Sequence, residues 1–246
     1  MTYMVELLFF ILAFISEIIG TIAGFGSSTI FLPLSLFFVD FKTALILVAF
    51  FHIFGNLGRI TFFKHGLNKK LILIFGVPSV ILTIIGALLV NYISQNTLKL
   101  VLGIFLLIFS ISSIINPDFK FKPSNKNAVM GGGLSGFLAG LIGTGGALRS
   151  TFLTAFNLKK NMYIATAAAI ALAVDITRIP IYFGQGFLEQ EFYIYLPLLF
   201  IMAIAGSYTG KKIVDKIPQS SFRKFVFIVI AIMSLKFIYD GITFLL

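Results

Sequence analysis

Apolar residues run along this chain in long blocks cut by short clusters of lysine, glycine, proline and asparagine. The blocks fall at 4–39, 43–63, 71–91, 97–116, 128–156, 161–183, 192–210 and 219–245. Six of the eight match the roughly 20 residues that a helix needs to cross a bilayer. The pattern therefore predicts an all-α polytopic membrane protein. The first and fifth blocks differ, because each carries a glycine cluster: Gly24-Phe25-Gly26-Ser27-Ser28 in one and Gly143-Thr144-Gly145-Gly146 in the other. Glycine costs about 1 kcal/mol against alanine in a helix interior, so two or three together predict a break. Split at its break, the fifth block gives two arms of about 14 residues, or roughly 21 Å each. Neither arm spans a hydrocarbon core of about 30 Å, and both reach past its middle.

The two halves of the chain repeat. Ile93-Ser94-Gln95-Asn96-Thr97-Leu98-Lys99 reads again as Ile217-Pro218-Gln219-Ser220-Ser221-Phe222-Arg223, 124 residues on. Asn56-x-x-Arg59 returns as Asp175-x-x-Arg178 and Pro78 as Pro197, both at 119, and Gly26 pairs with Gly143 at 117. The halves are 1–116 and 128–246, joined by a linker at 117–127. Basic residues orient them. With blocks one and five dipping in and returning to one side, thirteen lysines and arginines from Lys64 to Lys224 share a face, against Lys42, Lys99 and Lys236 on the other. That split obeys the positive-inside rule and places the linker in the cytoplasm. Each half then makes three full crossings, an odd number, so the copies are inverted and both termini lie outside. Inverted repeats with broken helices at their interface are a transporter architecture.

Composition narrows the class. The chain of 246 residues is 59% hydrophobic and 11% charged, with a mean hydropathy of +1.04. A soluble domain carries about 25% charged residues, which excludes a soluble enzyme, a nucleic-acid binder and a disulfide scaffold. The net charge of +10 is orientation charge. With no cysteine, thiol catalysis and cysteine-ligated metals are excluded, and no metal or cofactor is expected. The run from Met4 has neither a basic leader nor a cleavage site, so it is expected to stay in the mature protein.

Candidate chemistry gathers at the breaks. A half-helix starting inside the membrane exposes unpaired N–H groups and partial positive charge. Two such starts facing each other suit an anion. Gly24, Gly26, Ser27, Ser28, Thr29, Gly143, Thr144, Gly145 and Gly146 are the candidate donors there. Gly131-Gly132-Gly133 and Gly136-x-x-x-Gly140 read instead as helix packing. Three of the four arginines (Arg59, Arg149 and Arg178) sit within apolar blocks, whereas all fifteen lysines lie in loops or near block ends. An intramembrane arginine is retained for a partner or a ligand, and its planar fork suits oxyanions. Arg178 follows Asp175 by one helical turn and pairs with it. Arg59 follows Asn56, which cannot neutralise it, and is the more available ligand unless Glu17 reaches it across the bundle. Glu17 and Asp175 are candidate carriers of a coupling proton or, equally, fixed counter-ions for the arginines, the role favoured for Asp175. His52 reads as a hydrogen-bonding residue between helices and His65 as a solvated loop residue.

Ala23-Gly24-Phe25-Gly26-Ser27-Ser28 leading to Phe31-Leu32-Pro33, and Ala139-Gly140-Leu141-Ile142-Gly143-Thr144-Gly145-Gly146 followed by Ala165-Thr166-Ala167-Ala168-Ala169, resemble the motifs of the sulfite exporter TauE/SafE family of membrane permeases. Ser27, Ser28 and Thr29 stand where that family commonly has glycine. The resemblance implies a permease for small sulfur-containing anions such as sulfite or sulfonates. The expected partners are the anion and the lipid bilayer, with a proton as candidate coupling ion and a homodimer as candidate assembly. An anion channel of the same fold, or a carrier of a small carboxylate, is the alternative. A hydrolase built on Ser27 or Ser28 with His52 is weaker, because the second break has no histidine.

Overall fold

The structure, a computed structural model, describes residues 3–63, 66–216 and 219–245. Lys64, His65 and the Ile217-Pro218 start of the repeated motif lie outside the described residues. Among these residues there are ten α-helices and no strand: α1 (Tyr3–Ala23), α2 (Ser28–Ser35), α3 (Phe41–Phe62), α4 (Lys69–Leu89), α5 (Gln95–Ile115), α6 (Asn125–Ile142), α7 (Gly146–Leu153), α8 (Lys160–Gly184), α9 (Tyr195–Ile213) and α10 (Gln219–Leu245). Seven of them, all but α2, α6 and α7, are long and apolar enough to cross a membrane. The protein is thus a multi-pass, all-helical membrane protein.

Side chains of the loops start many of these helices. Asp40 accepts from the Lys42 and Thr43 amides, Asn68 from Leu71, Ser94 from Thr97 and Ser124 from Asn127, each satisfying an amide that has no partner within its helix. Both expected breaks occur, but with unequal arms. Helix α1 has 21 residues and α2 has 8, while α6 has 18 and α7 has 8. The polar Asn125-Lys126-Asn127 lead adds a turn to α6 ahead of the apolar block. The return arm ends in a turn at Thr154–Phe156, closed by Asn157 in a left-handed conformation (φ 47°).

Contacts fix the helix directions. Helix α1 runs parallel to α9, with Phe10 beside Tyr195 at one end and Thr21 beside Gly210 at the other. Helices α4 and α6 are likewise parallel, since Ser79 Oγ donates to Gly132 O and Thr83 Oγ1 to Gly136 O. Helix α3 is parallel to α9, through Phe54 on Phe200 and Lys211 over Phe63. It is antiparallel to α8, through Lys42 over Phe187, Asn56 on Asp175 and the Asn68 amide, just past α3, on Thr166. Helices α5 and α10 are antiparallel, with Gly103 against Ile238 and Gly241 against Leu100. Exchanging α1–α5 for α6–α10 turns the α1–α9 pair into α6–α4 and α3–α9 into α8–α4, and returns α3–α8 and α5–α10 to themselves. Helices α3 and α8 are the most buried of the long helices, and α5 and α9 the least.

The α4–α6 seam is made of small residues, as expected of the glycines there. A Cβ on Gly136 would run into the Ser79 carbonyl, and one on Gly140 into that of Thr83. Backbones therefore touch, and the two hydroxyl bonds tie them. At the basic end, Lys160 Nζ bonds Asp215 Oδ1 at 2.9 Å and the Val214 carbonyl at 2.9 Å, joining the start of α8 to the end of α9. That lysine holds the exposed Asp215 carboxyl below its ordinary pKa. Gly136→Ala should destabilise the protein by about 1–3 kcal/mol through overpacking of the seam. Gly184→Ala, where a Cβ meets open space, should be neutral or gain up to about 1 kcal/mol. Thermal unfolding of the two purified variants reads the difference.

Candidate functional site

At the first break the Gly20 carbonyl accepts both the Gly24 amide (3.1 Å) and the Gly26 amide (3.4 Å). Gly24 and Gly26 hold φ +81° and +91°, angles that side chains resist. The chain turns so sharply that a Cβ on Gly20 would overlap the Ser27 backbone. At the second break Gly143 (φ +74°) closes α6 in the left-handed conformation, and Gly145 is the N-cap of α7. The breaks lie against each other. Thr29 Oγ1 and Thr144 Oγ1 are 3.0 Å apart. A Cβ on Gly146 would strike the Phe25 carbonyl. Ser28 is buried at the first position of α2.

The starts and ends of the half-helices are treated differently. At the ends, Arg178 Nη1 donates to the Ala139 and Gly143 carbonyls (2.8 and 2.9 Å), and Tyr182 Oη donates to Gly140 O (2.6 Å). Arg223 donates to Ala23 O from Nε and Nη2 (3.0 and 2.6 Å), and Tyr163 Oη to Gly24 O (3.1 Å). Each carbonyl terminus thus receives one arginine and one tyrosine, as the negative end of a helix dipole favours. At the starts, neither Ser27 nor Gly145 gives a side-chain bond to the helix it begins. The Ser27 hydroxyl accepts from Arg59 Nη2 (3.1 Å) instead.

Arg59 is paired. Its Nη2 lies 2.6 Å from Glu17 Oε1, Nη1 donates to Asn56 Oδ1 (2.8 Å) and Nε to Thr21 Oγ1 (3.2 Å). Glu17 also accepts from Ser207 Oγ (2.8 Å) and packs its carboxylate on Gly55 and its stem on Gly206. The condition that would remove Arg59 as a free cation is met. Arg178 is paired too: Asp175 Oδ1 lies 2.8 Å from Nη2 and 3.0 Å from Nε. Asp175 Oδ2 accepts from Asn56 Nδ2 (3.2 Å) and from His52 Nδ1 (2.9 Å). His52 is therefore a link between helices, as read from the sequence. Its other ring nitrogen, Nε2, has no hydrogen-bond partner among the described residues. It has no serine partner either, so the hydrolase pair is not assembled in this conformation.

Arg149, on α7 and buried, makes no hydrogen bond or ion pair among the described residues. A Cβ at Gly26 would stand 3.7 Å from its Nη2 and 3.0 Å from His52 Nε2. An unsatisfied guanidinium edge and an unsatisfied imidazole nitrogen thus converge where α1 turns into α2. Arg149 borders a cavity of about 10 Å³ that also takes in Gly20, Thr21, Gly24, Gly26, Arg59 and the α8 face at Ile164, Ala167 and Ala168; His52 is not part of that lining and reaches only the Gly26 position. Arg223, Tyr163, Tyr182 and Ser207 are the polar participants that sequence reasoning passed over. In the sequence Arg223 reads as one of the basic end residues, and its repeat position, opposite Lys99, gives no hint of a helix end.

A multi-pass helical protein whose broken helices enclose a buried polar site belongs with membrane transporters. The chain is a member of the sulfite exporter TauE/SafE family, which matches residues 8–237. It is 26% identical over 260 aligned positions to a protein of Methanocaldococcus jannaschii described as a probable membrane transporter, with 93% of each chain covered. No solved structure matches it.

The Glu17–Arg59 pair yields a stability test. Glu17→Gln should cost about 3–5 kcal/mol, because it strands a buried guanidinium. Adding Arg59→Gln should recover part of that loss. Chemical or thermal unfolding of the single and double variants measures it, and equal losses in both would remove the charge pairing as the cause.

Proposed function

We propose that this chain carries a small oxyanion across the cytoplasmic membrane by alternating access, and that Arg149 holds the anion between the two broken helices. The observation that carries this reading is a buried guanidinium without a counter-charge, beside two uncapped helix starts. In hydrocarbon such a cation is retained for a ligand or a function. The remaining candidates divide the work. Gly26 leaves room for the anion beside Arg149, while Gly145 and Gly146 let the Ser135 and Phe25 carbonyls approach and Ser27 holds Arg59. Glu17, Asn56, Asp175, Arg59 and Arg178 form the paired frame around the anion.

The two halves act as inverted copies. Support comes from the opposite directions of α3 and α8 and of α5 and α10, and from the clustering of lysines at one set of helix ends. Those ends face the cytoplasm by the positive-inside rule, which puts both termini outside. The cavity beside Arg149 has room for about one water, so the conformation is closed, and the halves must part for an anion to enter. That closure favours a carrier over an open channel.

The family's description as sulfite exporters makes sulfur oxyanions the first substrates to test, and the fork geometry of guanidinium suits their paired oxygens. Sulfite, thiosulfate, sulfoacetate or acetate at a hundred times its dissociation constant should stabilise the purified protein by about 2.7 kcal/mol if it binds the folded state alone. Arg149→Gln should abolish the stabilisation by the sulfur anions that show it. A variant stabilised as strongly as the unaltered chain would remove Arg149 from the site.

A further inference from the structure

The buried charged side chains among the described residues are Glu17, Arg59, Arg149, Asp175 and Arg178, with His52 beside them. Three positive charges against two negative leave a net +1 while His52 is neutral. The starts of α2 and α7 add partial positive charge, offset a few residues away by the ends of α1 and α6. One unit of positive charge is therefore unbalanced in a low-dielectric interior, where uncompensated charge is costly. A monoanion cancels it. A dianion overshoots and leaves the site at −1.

His52 supplies the missing unit. We propose that His52 takes up one proton together with a dianionic substrate, through Nε2, and that a monoanion binds without it; this rests on the Arg149 site above. Helix α3 holds the ring where α8 fixes one nitrogen: Nδ1–H donates to Asp175 Oδ2 at 2.9 Å. In the neutral ring Nε2 is then the bare lone pair, 97% of the residue's surface being buried and no partner meeting that atom. A lone pair repels an oxyanion at the Gly26 position. A proton from the aqueous phase on Nε2 turns it into an N–H donor aimed at the same place, and the imidazolium rests on the Asp175 carboxylate. The surrounding charges are Asp175 and Arg178 from α8, Arg149 from α7, Arg59 one helical step beyond Asn56 on α3, and Glu17 of α1 bound to Arg59. Helix α2 brings hydroxyls and no charge.

Glu17 and Asp175, read from the sequence as either proton carriers or fixed counter-ions, are each bound to an arginine at 2.6 and 2.8 Å. Protonating either would strand its partner, so they suit a fixed frame better than a proton shuttle. Histidine titrates within the physiological range and needs no such disruption.

The test compares sulfate with methanesulfonate, a dianion and a monoanion that keep their charge across the histidine range. With the full chain in lipid nanodiscs, the sulfate Kd should rise about tenfold for each pH unit above the titration of the free site, because each bound sulfate brings one proton. Methanesulfonate affinity should be flat. In weakly buffered solution, sulfate binding should take up about one proton per site and methanesulfonate none. His52→Gln keeps a neutral amide at that position, and it should retain methanesulfonate binding while losing the sulfate slope. A sulfate affinity that ignores pH in the unaltered chain, or a slope that survives in His52→Gln, would overturn the proton assignment and leave the anion site standing. Arg149→Gln that binds both anions normally would overturn the site reading as well.

Discussion

A helix broken inside hydrocarbon leaves backbone N–H and C=O groups that no water can satisfy, and the rest of this structure is arranged around that constraint. The chain breaks two helices, and it answers for only one kind of end. The carbonyl ends of α1 and α6 each receive an arginine and a tyrosine: Arg223 with Tyr163, and Arg178 with Tyr182. The amide ends, at the starts of α2 and α7, receive no side-chain cap. Side chains on the acceptors and no N-cap side chain on the donors give the polarity on which the proposed anion site rests.

The acids sharpen that polarity. Glu17, through Oε1, and Asp175 are each bound to an arginine and to neighbouring hydroxyl, amide or imidazole groups, while Glu17 Oε2 has no hydrogen-bond partner among the described residues. Asn56 bridges the two systems, donating to Asp175 and accepting from Arg59. Asn56 and Asp175, matched by the sequence pattern 119 residues apart, touch. At that meeting point the copies differ: one contributes a neutral amide and the other a carboxylate. The carboxylate is what His52 bonds.

Much of this was legible in the sequence, because membranes reward simple patterns. Apolar block length gave the helices, and glycine clusters gave both breaks. Arg178 three residues after Asp175 gave their ion pair, and the small-residue runs gave the α4–α6 seam. Other features depend on distances across the bundle that no local pattern encodes. Glu17 and Arg59 are 42 residues apart, and whether they meet decides which arginine is free. Gly55 and Gly206 looked like ordinary small residues, yet their missing side chains make the space Glu17 occupies. The length of the arms went astray because the polar lead of α6 is helical, although apolar patterning starts later.

In the proposed topology each broken segment returns to the side it came from, outside for the first half and inside for the second. The natural absence of cysteine makes single-cysteine labelling with a membrane-impermeant maleimide the direct measurement. Met4→Cys and Phe37→Cys, exposed positions at the start of α1 and just past α2, should both react from outside in intact cells. Asp118→Cys and Lys159→Cys, which flank α6 and α7, should react only after permeabilisation. Met4 and Phe37 on opposite faces, or Phe37 and Lys159 on a common one, would contradict the account.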